Sequence, residues 1–300
     1  MKNSSNIPKV ILAFFLIYFI WGSTYLANAW AVACMPSFML AGVRFCIAGA
    51  MMLIYTGIKN GFTFNKTTLK NALFAGVMLF VIGNGMMLWT LRIVDSGIAA
   101  LIVATRPLIV ILLLWKMKNI RPTWNSWLGI FLGVLGMALL VGQAEFVSDS
   151  MWLISVFVIL LATWAWGYVS VWTKDAELPE SVLESSGLQL LLGGVVCLLI
   201  SVVIREYEQF EMTALTSKSI WAFAYLIVFG SIVAFTAFNY LLKNVSPAKV
   251  NTSTYVNPVI AMLFGFFFNE EFISFQSGFA AILLLTGVVF INVNFSSRTP

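Results

Sequence analysis

Four groups of polar side chains stand inside long apolar runs of this sequence, where desolvation makes a polar group costly and therefore informative. Arg106, followed by Pro107, lies near the middle of the apolar run 96–116. At about 1.5 Å per residue, its guanidinium would have to reach roughly 15 Å to meet bulk water. Two uses fit: binding an anionic group through its forked donors, or donating to backbone carbonyls freed by Pro107, whose ring blocks an ordinary helical bond. Tyr18, Trp21, Tyr25 and Asn28 recur at i, i+3, i+7 and i+10. That spacing gathers them on one helical face, as a cavity strip or, for Tyr25 and Asn28, as members of an interfacial belt. Asn251, Thr252, Ser253, Thr254, Tyr255 and Asn257 precede Pro258 and give an apolar run an unusually polar start; Asn251, Thr254, Tyr255 and Pro258 share a face. Asn84 between Gly83 and Gly85, Trp166 and Asn239 complete the candidate substrate-binding set. Any one of these asparagines could equally be an interhelical hydrogen-bond partner. Arg44 lies nearer a water-facing end of its run, within snorkelling reach, and a structural role is expected of it, as of Pro107 and Pro258.

What is missing narrows the chemistry. The chain has no histidine, which removes the commonest general base and metal ligand. Its three cysteines, Cys34, Cys46 and Cys197, form no CxxC pair and sit in or beside apolar runs, so neither a disulfide framework nor a metal site is expected. No Asp or Glu falls at the centre of an apolar run. Hydrolysis or phosphoryl transfer therefore lacks its parts, and neither an enzyme nor a cofactor is expected.

These side chains must be positioned by helices in a bilayer. Hydrophobic residues make up 61% of the 300 positions and charged ones 10%, against about 25% charged in soluble domains. Runs of membrane-spanning length fall near 10–30, 36–58, 70–92, 96–116, 124–142, 150–173, 182–204, 218–242, 247–268 and 276–295. The first is too long for a signal-peptide core and is kept as a helix. The net charge of +5 is laid out for topology, not nucleic acid. With the N-terminus inside, Lys2, Lys9, Lys59, Lys66, Lys70, Lys116, Lys118, Arg121, Lys174, Lys243, Lys249 and Arg298 fall in inner loops, and only Arg92, Arg205 and Lys218 in outer ones. The positive-inside rule then puts both termini in the cytoplasm.

The chain also overlays on itself. Ala100 to Gly142 can be laid over Asn251 to Asn292, with Arg106-Pro107 on Asn257-Pro258, Trp89 on Tyr240, Val94 on Val245, Ser96 on Pro247 and Gly136 on Gly287; at a slightly different offset Trp21-Gly22 falls on Trp166-Gly167. A repeat of five crossings must re-enter from the opposite side, so the expected fold is all-α, ten transmembrane helices as two inverted five-helix repeats, 8–142 and 150–295. Paired prolines in the two halves then mark corresponding helix interruptions beside a central site, a plan shared by secondary transporters. Gly129, Gly133 and Gly136 form a small-residue face for helix packing, with a homodimer contact the other role open to it.

Several runs together resemble the drug/metabolite transporter superfamily, and within it the EamA-type permeases. They are Trp21-Gly22-Ser23-Thr24-Tyr25, Ala41-Gly42-Val43-Arg44-Phe45, Gly83-Asn84-Gly85-Met86, Ser96-Gly97-Ile98-Ala99-Ala100-Leu101 continuing to Ala104-Thr105, Asn244-Val245-Ser246-Pro247-Ala248 and Tyr255-Val256-Asn257-Pro258. The resemblance implies two EamA domains, a bacterial inner-membrane location and export of small metabolites, amino acids or toxic compounds by alternating access. It also implies that Arg44 matches the family's second-span arginine. The pattern departs at Leu91-Arg92, where relatives carry Glu-Gln, and at Arg106, where they carry an apolar residue. The expected function is therefore a transporter of a small zwitterionic or anionic solute, with membrane lipid as its surroundings. A lipid-handling flippase of the same fold is the alternative, its phosphate on Arg106.

Overall fold

The computed structural model describes residues 7–90, 93–94, 99, 102–141, 150–268 and 274–293. Leu91-Arg92, Ser96-Gly97-Ile98, Ala100-Leu101, Lys2 and Arg298, on which parts of the reading above rest, lie outside the described residues. Those described form helices and short connections, with no strand among them.

In chain order the helices are α1 (Ile7–Val32), α2 (Ser37–Asn60), α3 (Lys66–Thr90), α4 (Arg106–Lys118), α5 (Trp124–Val141), α6 (Ser150–Trp172), α7 (Val182–Val203), α8 (Ser217–Asn244), α9 in two pieces (Pro247–Asn251 and Ser253–Phe268) and α10 (Phe275–Val293). By length and composition α1, α2, α3, α6, α7, α8 and α10 can cross a membrane, α10 over Phe275–Asn292. Helix α4 is shorter at 13 residues, α5 has an apolar stretch of Trp124–Leu139, and α9 is broken. Phe15, Ile54, Phe131, Phe157, Val203, Trp221 and Phe267 are exposed on the outside of the bundle. Such a surface suits lipid, where helices satisfy their own backbone groups.

Local sequence sets the helix ends. Pro36 in extended conformation precedes α2, and Gly61 at φ 70° lets the chain turn out of it. Asn65 and Thr68 cap α3 reciprocally, as Thr216 and Ser219 cap α8. Each of these two helices widens to π geometry in its middle, over Val77–Met86 and Leu226–Val233.

The helices pack in pairs through small residues. Helix α2 runs antiparallel to α7: Gly42 faces Leu198, Gly49 faces Leu191 and Gly187 meets Leu53. A Cβ on Gly49 would lie 2.5 Å from the Leu191 nitrogen, so the backbones touch only because the side chain is missing. Helix α5 packs on α10 in the same way, with Gly129 against Ile291 and Gly136 against Leu284. Gly133 receives the ring of Tyr255. The small-residue face of α5 is thus occupied within the chain. Helix α1 lies against α8 and α9, and α6 against α3 and α4.

One expectation needs correction. Pro107 does sit at a helix interruption: α4 starts at Arg106, directly after a turn at Ala104 and Thr105, and its missing N–H falls where no intrahelical acceptor is lost. Pro258 instead lies inside the second piece of α9, and the break is upstream at Thr252. There the Thr252 N–H donates to Lys249 O at 3.2 Å and Tyr255 N–H to Thr252 O at 3.0 Å. These i to i+3 bonds tighten the turn, and the Thr252 and Thr254 hydroxyls occupy the Lys249 and Asn251 carbonyls. The polar side chains preceding Pro258, not its ring, supply what the break requires.

Candidate functional site

A cavity of about 520 Å³ opens among α1, α2, α3, α4, α6, α8 and α9. Trp21, Thr24, Tyr25 and Asn28 of α1 line one wall. Tyr25 and Asn28 are thus among the cavity-lining residues, Tyr25 with an exposed side chain. Phe80, Gly83, Asn84 and Met87 come from α3, Trp166 from α6, Gly230, Ser231 and Phe235 from α8, Thr254 and Asn257 from α9. Arg44 and Arg106 both contribute, and no carboxylate is among the described lining residues.

The π segments of α3 and α8 both border this space. In a π turn the backbone is wider and carbonyls bond residues five ahead, which leaves side-chain donors to complete the ladder. The Asn84 amide donates to Leu79 O at 3.2 Å and the Ser231 hydroxyl to Leu226 O at 3.1 Å. Both residues therefore anchor their segment while lining the cavity.

An aromatic cluster forms part of the wall. The Trp21 and Trp166 rings meet edge to face at 5.8 Å, and both pack on Phe238, at 5.3 and 5.4 Å. Phe80 packs on Phe235 at 4.9 Å. Gly83 makes room for the Trp166 indole, since a Cβ there would sit 2.3 Å from its Nε1. Trp21 Nε1 donates to Gly230 O at 3.3 Å. Such ring pairs are worth about 0.5–1.5 kcal/mol each beyond their buried area.

The arginines differ. Arg44 Nε donates to Ser231 Oγ at 2.8 Å and its Nη1 to Asn28 Oδ1 at 3.3 Å, tying α2 to α8 and α1, while the guanidinium lies 5.1 Å from the Phe45 ring centre. It is buried and turned inward; it does not snorkel. Arg106 lies over Trp166, 5.2 Å from the ring centre, and its buried Nε has no hydrogen-bond partner among the described residues. The Ile102 carbonyl at the α4 break is taken by the Thr105 N–H and hydroxyl. Asn257 carries a second orphan, a buried Oδ1 with no partner there.

Of the candidate binding residues, the cavity gathers Trp21, Tyr25, Asn84, Arg106, Trp166 and Asn257. The others lie elsewhere. Tyr18 bonds the Thr252 hydroxyl at 3.0 Å and pins α1 to the break in α9. Asn239 donates to Ser186 Oγ at 2.8 Å, joining α8 to α7. The Asn251 amide turns back onto Pro247 O at 2.8 Å, and Tyr255 is fully buried against Gly133. Sequence reasoning passed over Ser231, although a serine beside Gly230 in a long apolar run carries the same signal as Asn84. It also passed over two buried carboxylates at helix ends. Glu206 accepts from the Phe38 and Met39 N–H groups at 3.2 and 2.7 Å, and Glu184 from Thr63 N–H, Thr63 Oγ and Phe64 N–H at 2.8, 2.7 and 3.1 Å. Glu206 thereby caps α2 with a negative charge at its positive end.

Comparison with known proteins decides the family. The pattern of the EamA-like transporter family matches residues 8–142 and again 153–293. This chain belongs to the EamA-like transporter family. It is 34% identical to the "Uncharacterized inner membrane transporter YedA" of Escherichia coli (strain K12) over 94% of this chain and 90% of that one. It is 21% identical to the "Uncharacterized transporter YoaV" of Bacillus subtilis (strain 168), covering 97% and 99%. A solved structure described as "Crystal structure of protein" superposes with a TM-score of 0.77 at 17% identity, covering 94% of this chain and 97% of that chain, which is a likeness of fold. With its apolar helices, this EamA chain is a multi-pass membrane transporter.

Proposed function

We propose that this chain is a secondary transporter of the bacterial inner membrane, exporting amino acids or other small zwitterionic or anionic compounds by alternating access. In this reading it crosses the membrane ten times as two inverted five-helix repeats, 8–142 and 150–295, with both termini cytoplasmic. The observation that carries it is the cavity between the halves, lined by Arg106 and Asn257, which overlay in the self-comparison and each hold a buried polar atom with no partner among the described residues.

Further correspondences support the repeat. Trp21 and Trp166, which also overlay, touch ring to ring in the cavity wall. Gly42 and Gly49 of α2 have counterparts in Gly187 and Gly194 of α7 at that same offset, and each pair meets the opposite helix. The capping boxes at Asn65 and Thr216 stand at the offset that relates Arg106 to Asn257, and the π segments lie in the third helix of each half. An odd number of crossings per half inverts the second copy, which is the arrangement alternating access exploits. The aromatic cluster around Trp21, Trp166 and Phe238 would close the site on one side while the other stays open.

The test is the solute content of the medium from cells making the wild type, Arg106→Leu or neither, at matched membrane abundance. An anionic or zwitterionic solute that accumulates only with the wild type supports the proposal. Equal media from all three, with phospholipid held on the purified protein, would replace it with the lipid-handling reading. Topology is checked separately through Cys34, in the turn between α1 and α2: a membrane-impermeant maleimide should label it in intact spheroplasts, and protection there but labelling after lysis would invert the orientation.

A further inference from the structure

The cavity offers an ionic donor and a neutral acceptor, and the two are not interchangeable for a ligand. Arg106 lines it with a guanidinium whose Nε is buried and unpartnered. Asn257, only 7% exposed, lines it with an unpartnered carbonyl oxygen. Buried polar atoms in native proteins are nearly always satisfied, so two atoms without a partner among the described residues, on two residues that both line one cavity, point to a ligand that completes both. An anionic oxygen suits Arg106, and an N–H or O–H donor suits Asn257 Oδ1.

The charge balance of the cavity then chooses the kind of donor. Arg44 adds a second guanidinium, and although its Nε and Nη1 are taken by Ser231 and Asn28, its charge remains. No carboxylate among the described lining residues offsets either arginine. An ammonium group would enter next to two like charges with only neutral acceptors to receive it, which disfavours the charged form of the donor. A hydroxyl satisfies Asn257 without that repulsion. The remaining walls, Trp21, Phe80, Phe235 and Trp166 among them, are apolar and ring-faced, which suits an organic body of ring size.

Resting on the transporter reading above, we infer that the ligand of this cavity is an organic monoanion, an apolar ring-bearing carboxylate with a neutral hydroxyl donor. Within the solutes proposed above this selects the anion over the zwitterionic amino acid, and it disfavours a cation. The Arg106 guanidinium holds the carboxylate, Asn257 Oδ1 receives the hydroxyl, and the rings of Trp21 and Phe235 contact the body.

Four probes that share one phenyl group separate these features: 3-phenyllactate with carboxylate and hydroxyl, 3-phenylpropionate with carboxylate alone, phenylalanine with carboxylate and ammonium, and phenethylamine with ammonium alone. Affinities are read from thermal stabilisation of the purified full-length protein in nanodiscs. Phenyllactate should bind about tenfold or more tightly than phenylalanine, phenylpropionate should fall between, and phenethylamine should give no saturable shift. Asn257→Leu should make phenyllactate bind like phenylpropionate, and Arg106→Gln should weaken the binding of both acids roughly 30-fold while the unliganded midpoint stays. Phenylalanine binding as tightly as phenyllactate, saturable phenethylamine binding, or no response to any probe would each overturn the inference. Counterflow in proteoliposomes keeps this apart from transport itself. Phenyllactate bound without counterflow would end the transporter reading and leave the recognition standing; counterflow of phenylalanine but not phenyllactate would do the reverse.

Discussion

Arg44 and Arg106 line one cavity with the same functional group, yet the protein has spent one and left the other available. Arg44 gives its Nε and Nη1 to Ser231 and Asn28 and so joins three helices. Arg106 starts a helix beside a proline, rests its guanidinium on Trp166 and leaves its Nε unbonded. A buried guanidinium is costly unless its donors are used. Satisfaction within the chain marks a fastener, while an orphan facing a cavity marks a place for something absent from the chain.

That contrast is broken or sharpened by substitutions at four positions. Arg44→Leu removes two bonds from a charged donor and should lower stability by about 2–4 kcal/mol, seen as reduced membrane abundance and a lower thermal midpoint. Equal midpoints for Arg44→Leu and wild type would remove the fastener role. Arg106→Leu should leave the midpoint unchanged and weaken anion binding by about 2 kcal/mol, roughly 30-fold; a drop in midpoint with unchanged affinity would exchange the two roles. Gly230→Ala places a Cβ 2.7 Å from Arg44 Nη2. It should shift the guanidinium at a cost of about 1–2 kcal/mol in stability, and Gly230→Ala combined with Arg44→Leu should lose less than the sum of the two. Trp166→Phe keeps a ring beneath Arg106 and should change anion affinity by less than about 1 kcal/mol, whereas Trp166→Leu should exceed it.

The helices were legible because runs of apolar residues long enough for a bilayer are separated by short polar breaks, and the ends at Pro36 and Gly61 follow from those two residue types. Membership of the family was legible from ordered short motifs such as Gly83-Asn84-Gly85-Met86. The site was legible in part. Arg106 and Asn257 stood out because each precedes a proline inside an apolar run. Asn239 and Asn251, polar residues in apolar runs but not before a proline, are fastened elsewhere, one to Ser186 and one to its own helix. The reason is that helices apolar all round carry no stripe telling the inner face from the outer one, so packing decides which asparagine meets a cavity. The α9 break was misplaced for a related reason. A proline inside a helix removes one donor, but Thr252 and its neighbours had side chains able to occupy the carbonyls of a tightened turn, and the chain broke there.

The most direct test is uptake of labelled 3-phenyllactate into proteoliposomes holding wild type, Arg106→Leu or Arg106→Lys, each normalised to folded protein. The account predicts saturable uptake by the wild type, its loss in Arg106→Leu with an unchanged thermal midpoint, and partial return in Arg106→Lys, which restores the charge without the fork. Wild-type uptake per folded molecule in Arg106→Leu would contradict it.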